Sequence, residues 1–162
     1  MLYPVSPSTE AVLSVPAYSD LANLAFGLRR EVFMLEQGIS HADEYDDLDR
    51  VATHFVMVRE GNVVATLRVL WLTEHAKIGR FAVRRSLRGR GVGGRLFRAT
   101  IESIRAGGVE RIALEAQIDK TRFYEQYGFH AYGEEYLDAG IVHRRMKNYR
   151  DDADPRQVKA KK

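Results

Sequence analysis

The sequence predicts an α/β protein: a single domain on a mixed central sheet of about six to seven strands flanked by helices. Three observations predict it. Short apolar runs of strand character alternate along the chain with runs whose apolar residues recur at three and four positions. The chain has 162 residues, 45% hydrophobic and 10% aromatic, enough for one core and few for two. No repeat or linker divides it, so the domain is drawn over 1–149 and the charged tail, 150–162, is expected to be disordered because it has little to bury.

The elements follow in order. Residues 11–15 read as a short strand stopped by Pro16. Ser19-Asp20 then caps a helix in which Leu21, Leu24, Ala25, Leu28, Val32 and Leu35 form the apolar face, ending at Gly38. On that helix Arg29 is assigned to the solvated face, while Glu36 and Gln37 sit at the exit, where a functional role is easier to sustain. Residues 43–49 hold five carboxylates in seven positions. Such a run is a solvated loop or a rim that draws in a cationic amine. Calcium is set aside, because the glycine and ligand spacing of an EF-hand loop are missing. Residues 52–59 and 63–73 form a hairpin around Glu60-Gly61-Asn62, and 78–83 is the next strand. A helix opens at Val92 with Leu96, Phe97, Ile101 and Ile104 on its buried face and stops at Gly107-Gly108. Residues 111–117 are a strand, Asp119 caps a short helix carrying Phe123, Tyr124 and Tyr127, and 142–149 is the last strand.

Between the strand at 78–83 and the Val92 helix lies the stretch that carries chemistry. Gly89, Gly91, Gly93 and Gly94 fall within six residues, and seven arginines with no acid stand between Arg80 and Arg98. Backbone N–H groups of a helix's first turn have no intrahelical partner and face an anion readily. Glycines remove the side chains that would hold a phosphate away, and arginines add charge. A nucleotide P-loop would need Lys-Ser or Lys-Thr after the glycines, and neither is there. A dinucleotide fingerprint is met in spacing by Gly89, Gly91 and Gly94, with Glu115 21 residues on. Against it, five residues separate Val83 from Gly89, so the turn does not leave the strand directly.

Composition excludes several classes. With no cysteine there is no disulfide framework, thiolate nucleophile or thiolate metal site, and no metal is expected. The net charge of +3 is local to the arginine-rich middle and lysine-rich end, which argues for an anionic ligand and against a nucleic-acid surface. Residues 1–18 carry a single charged group, Glu10, and no long apolar run, so neither a signal peptide nor a membrane span is expected and a cytoplasmic location is the default.

Arg88-Gly89-Arg90-Gly91-Val92-Gly93 closely resembles the Arg/Gln-x-x-Gly-x-Gly/Ala loop of the GNAT N-acetyltransferases. Further blocks in the same order extend the resemblance from about Leu21 to Met146, within the ElaA/YjcF-type branch: Leu28-Arg-Arg-Glu-Val-Phe33, Glu36-Gln37-Gly38, Glu44-Tyr-Asp-Asp-Leu-Asp49, Thr53-His54-Phe55, Ile78-Gly-Arg-Phe-Ala-Val83, Phe123-Tyr-Glu-Gln-Tyr-Gly-Phe129 and Asp138-Ala-Gly-Ile-Val-His143. The resemblance implies a GNAT-like fold and direct transfer of an acetyl group from acetyl-CoA to a primary amine of a small molecule, without a covalent enzyme intermediate. The backbone of Arg88, Gly89, Arg90, Gly91, Val92, Gly93 and Gly94 would hold the CoA pyrophosphate. Phe81, Ala82 and Val83 would run beside the pantetheine arm as strand addition does, with an N–H near Phe81 polarising the thioester carbonyl. Tyr124 matches the tyrosine that protonates the departing thiolate, and Gln117 stands where the superfamily often has an asparagine that contacts CoA. Glu36, His54 and Glu115 are the candidate bases for the amine proton, beside a water relay. Arg80, Asp138 and His143 would line the acceptor pocket. A homodimer is among the assemblies open to such a chain. The competing readings are a non-catalytic CoA sensor or interaction module on the same fold, and then a dinucleotide oxidoreductase.

Overall fold

A computed structural model describes residues 10–151. In chain order it runs β1 (Glu10–Val15), α1 (Asp20–Arg29), α2 (His41–Glu44), β2 (Thr53–Arg59), β3 (Asn62–Trp71), β4 (Ala76–Val83), α3 (Val92–Ala106), β5 (Ile112–Gln117), α4 (Thr121–Glu125), β6 (His130–Asp138) and β7 (Ile141–Lys147). The strands form one seven-stranded sheet in the order β1-β2-β3-β4-β5-β7-β6. All neighbours are antiparallel except β4 and β5. The tail expected from 150 on lies, beyond 151, outside the described residues.

The β2–β3 hairpin is covered on both faces, so its alternation is apolar throughout rather than half polar. Phe55, Met57, Leu67 and Val69 join Leu96, Phe97, Ile101 and Ile104 of α3 in the larger core. Val56, Val63 and Ala82 meet Ala25, Leu28, Val32 and Phe33 on the other face. Every apolar residue assigned to the inner face of α3 is buried.

Two local departures from the sequence expectation shape the site. Ser19 caps α1 as expected, its hydroxyl accepting from the Ala22 N–H. From Arg30 to Glu36, however, the helix widens to π geometry, with the Gln37 N–H bonding back five residues to the Val32 carbonyl. The wider turn rotates the face: Phe33 turns inward, and Leu35, expected inside, is 69% exposed; Leu24, also expected inside, lies before the π turn and is 50% exposed. The second departure is a β-bulge in β4. Arg68 pairs with Gly79 and Thr66 with Ala82, so Leu67 alone faces Arg80 and Phe81. Arg80 adopts φ 54° there, an unusual conformation for a side-chain-bearing residue.

Smaller corrections follow. Strand β6 was not expected. It is a polar edge strand containing Gly133, Glu134 and Glu135, with an irregular register between Tyr132 and Tyr136, so it has no apolar alternation to read. Asp119 does not cap α4: it lies in a short 3-10 turn, Ile118–Lys120, and no side chain caps the helix that follows.

Candidate active site

Strands β4 and β5 pair only from Ala76↔Ile112 to Ile78↔Leu114. Beyond those rungs they part, and the separated ends open a cleft of about 790 Å³ into the middle of the sheet. The main chain of 79–83 faces this gap on the side that β3 does not use. That volume is in the range of small-molecule and cofactor sites.

At one end of the cleft stands the glycine loop. Gly91 takes φ 77° and begins α3, and the first intrahelical donor from it is the Arg95 N–H, bonded to the Gly91 carbonyl. The N–H groups of Val92, Gly93 and Gly94 therefore belong to the unpaired first turn. The glycines have different reasons. A Cβ on Gly93 would lie 3.2 Å from Val83 Cγ2, and one on Gly94 would lie 2.8 Å from Tyr127 Oη, so these two let α3 start against β4 and the segment after α4. Gly89 and Gly91 supply positive φ. Behind the loop, Arg95 Nη1 donates to the Arg90 carbonyl at 3.2 Å while its guanidinium grips both oxygens of Glu10 at 2.7 and 2.9 Å. The Arg95 hydrogen bond, with help from Arg59, holds the Glu10 carboxyl down at about 2. Arg88 is less free than its sequence position implied. It makes a two-pronged pair with Glu36 at 2.7 and 3.2 Å and also donates to the Val83 carbonyl. Arg90 has no acid partner among the described residues.

The acidic run is only partly the solvated loop or rim expected: Asp43 and Asp47 are exposed and Asp43, Glu44 and Asp46 line the cleft, but Glu44, Asp46 and Asp49 are bound by arginines. Arg29, expected on a solvated face, is 1% exposed and donates to Glu44, to both oxygens of Asp49 and to the Glu44 carbonyl. Arg68 bridges Asp46 and Asp49, and Arg80 reaches Asp46 and the carbonyls of Asp43 and Glu44. Three arginines thus answer three carboxylates. The physical reason is that α1 and β3 bring cations to a covered place, and each unpaired buried charge there would cost on the order of several kcal/mol. Arg68, which the sequence reading passed over, was marked by being a lone charge inside the apolar run of β3. Burial raises Glu44. It also works to raise Asp49, but the Arg29 and Arg68 bonds outweigh it and leave Asp49 lowered. Arg68 likewise lowers Asp46. The network fixes Arg80, and with it the bulge that faces the cleft.

The expected acids and bases are dispersed. Tyr124 lines the cleft from α4, its ring 5.3 Å from Phe97 and 5.1 Å from Phe123, and burial pushes its hydroxyl well above the ordinary phenol range. Glu115 lines the cleft but pairs with Lys77 at 3.2 Å. Glu36 is engaged by Arg88. His54 does not join them: it is 1% exposed, its Nε2 donates to the Asp49 carbonyl, its ring packs edge-on to Phe26, and burial lowers its pKa. Gln117 Nε2 donates to Gln37 Oε1 at 2.8 Å, so the π-helical end spans the cleft mouth through both Gln37 and Glu36. Arg80, Asp138 and His143 also line the cleft.

The family model described as acetyltransferase (GNAT) domain matches residues 15–149. The chain belongs to the GNAT acetyltransferases. It is 34% identical over 123 residues to the uncharacterized N-acetyltransferase YjcF of Bacillus subtilis, covering 75% of this chain and 88% of that one. The crystal structure of Escherichia coli ElaA superposes with a TM-score of 0.77 at 26% identity, over 87% of this chain and 100% of that one. An acyl-CoA N-acyltransferase from Pseudomonas aeruginosa does so at 0.80 and 29%, over 87% and 100%. The GNAT protein is therefore an acyl-CoA-dependent N-acetyltransferase of the ElaA/YjcF-like branch, with acetyl-CoA as cosubstrate. The nicotinamide reading falls with this, and the sheet order agrees: β4 reaches the glycine loop through a short 3-10 turn, Arg85–Leu87, and lies antiparallel to β3.

Proposed function

We propose that the protein transfers acetyl from acetyl-CoA directly to the primary amine of a small molecule, both held in the β4–β5 cleft. The observation that carries this is the splay itself: past Ile78 and Leu114 the sheet offers one unpaired strand edge, with the glycine loop at one end and Tyr124 lining the space between. The pyrophosphate would lie on the N–H groups of 88–94, with Arg90 adding charge. The edge of Phe81, Ala82 and Val83 would take the pantetheine amides, and Gln117 would reach them from β5. Acetyl-CoA supplies a thioester, an acyl group already activated toward an amine.

The residues then do the following work. The bulge at Arg80 and Phe81 turns backbone donors out of the β3 ladder toward the thioester carbonyl, where negative charge grows. Tyr124 remains protonated because its hydroxyl is buried. A phenol is a weaker acid than a thiol, so the hydroxyl first donates a hydrogen bond to sulfur and yields its proton only as the C–S bond breaks. No cysteine is present to carry the acetyl group between the two substrates. Arg80, Asp138 and His143 bound the acceptor side. Thiol release from acetyl-CoA, scanned over a panel of small primary amines, tests the reading. Amine-dependent release supports it, and acetyl-CoA binding with no release on any amine would contradict it.

A further inference from the structure

The proton on the acceptor amine needs a base, and the groups the sequence offered are committed elsewhere. His54 is outside the cleft, Glu36 is held by Arg88 and Glu115 by Lys77. His143 is different. It sits on β7 directly across from Gln117 on β5 and lines the cleft. Its Nδ1 lies 2.8 Å from the Ile141 carbonyl oxygen. A carbonyl can only accept, so Nδ1 carries the hydrogen, and in the neutral ring Nε2 is left with its lone pair. Tyr136 stacks on the ring at 5.9 Å with 28° between planes, fixing its orientation.

The geometry points to His143 as the general base of the transfer, a step that rests on the cleft reading above. The acceptor binds as an ammonium ion, and Nε2 removes one proton. The freed lone pair forms the C–N bond to the thioester carbon, and the C–S bond breaks. Sulfur takes the Tyr124 proton. The second proton lost from nitrogen returns Tyr124 to its hydroxyl form, and His143 gives its proton to water. The sum is ammonium plus acetyl-CoA giving acetamide, CoA thiol and one proton.

The charged and titratable groups around His143 are Tyr136 and Asp138 on β6, Glu115 on β5 with its partner Lys77 on β4, and Arg145 on β7 itself. Tyr136 is not the proton acceptor: burial, with the Glu115 charge second, pushes its hydroxyl up to about 12 and keeps it neutral.

The test has two arms on the full chain. In the first, nitrogen-15 NMR of the imidazoles, with His143 assigned by comparison with H143Q, reads the tautomer without any turnover. Nδ1–H with bare Nε2 is expected, and Nε2–H would overturn the assignment. In the second, kcat is measured against pH with acetyl-CoA and whichever of putrescine, ethanolamine or benzylamine releases most thiol. H143Q is expected to lose about 10²-fold or more in kcat and the acid limb of the profile, with acetyl-CoA affinity unchanged. Retention of that limb with kcat within a few-fold would overturn the proposal. Turnover of none of the three amines counts against the primary-amine acceptor reading instead, and Nε2–H in the NMR arm would still overturn the base.

Discussion

Replacing Arg29 by Met would remove one cation and leave Glu44 and Asp49 buried without the three hydrogen bonds it gives their carboxylates and the one it gives the Glu44 carbonyl. A loss of about 3–5 kcal/mol is expected in urea unfolding, the size seen when one partner of a buried pair is deleted. Acid should act on the same residues. Asp46 and Asp49 are lowered in the folded state, so their contribution is full above the ordinary aspartate range and is lost as pH falls through their folded values. Glu44 is raised and opposes this in its own range. Arg29 itself was misread from the sequence for a physical reason. A charge on a helix looks solvated until one knows that the acidic run folds back over it, and that is a tertiary fact. Tyr124 came from the resemblance of the block 123–129, and the structure sets its ring in the cleft; its role as the acid belongs to the proposed function. Tyr124→Phe should lower kcat by about 10²-fold with acetyl-CoA affinity unchanged, in steady-state kinetics beside calorimetry. Equal turnover would reduce the hydroxyl to packing.

Among the elements, the start of α3 is the most constrained. A methyl on Gly94 would enter within 2.8 Å of Tyr127 Oη, so Gly94→Ala should cost about 1–3 kcal/mol by overpacking, measured in the same unfolding assay. The loop before it is braced by Glu10, 85 residues away in sequence from Arg95. Glu10 is depressed from 4.5 to about 2, so the brace is complete above 4.5 and is released as pH falls toward 2. Glu10→Gln should therefore flatten the fall of Tm over that window, and an unchanged slope would remove the brace from the account. Helix α3, the β2–β3 hairpin and β5 were legible because their apolar spacing is undisturbed. The π-helical end of the first helix was not, since three- and four-residue spacing continues through Leu35 while the backbone has already changed period. Nor was the β4 bulge, which depends on Arg80 being held at φ 54° by the carbonyls of Asp43 and Glu44 and by Asp46.

At the scale of the molecule, one sheet does two jobs. Strands β2–β4 are covered on both faces, while β5, β7 and β6, joined to β4 by three rungs, part from it to leave the cleft. The fold class was legible because the alternation of strands and helices reflects this layering. The cleft was not, because no residue pattern announces where two strands cease to pair. A ligand that bridges the two halves should stabilise both, and acetyl-CoA at about 100 times its Kd should add about 2.7 kcal/mol, read as a rise in Tm.

The most direct measurement is calorimetric titration of wild-type protein and Gly91→Glu with acetyl-CoA, CoA and NADH, with circular dichroism confirming that the variant is folded. The account predicts that wild type binds the two CoA species and not NADH, and that a folded Gly91→Glu binds none, because a carboxylate then occupies the mouth of the anion cradle. Acetyl-CoA affinity unchanged in Gly91→Glu, or NADH bound by wild type in preference to CoA, would contradict it.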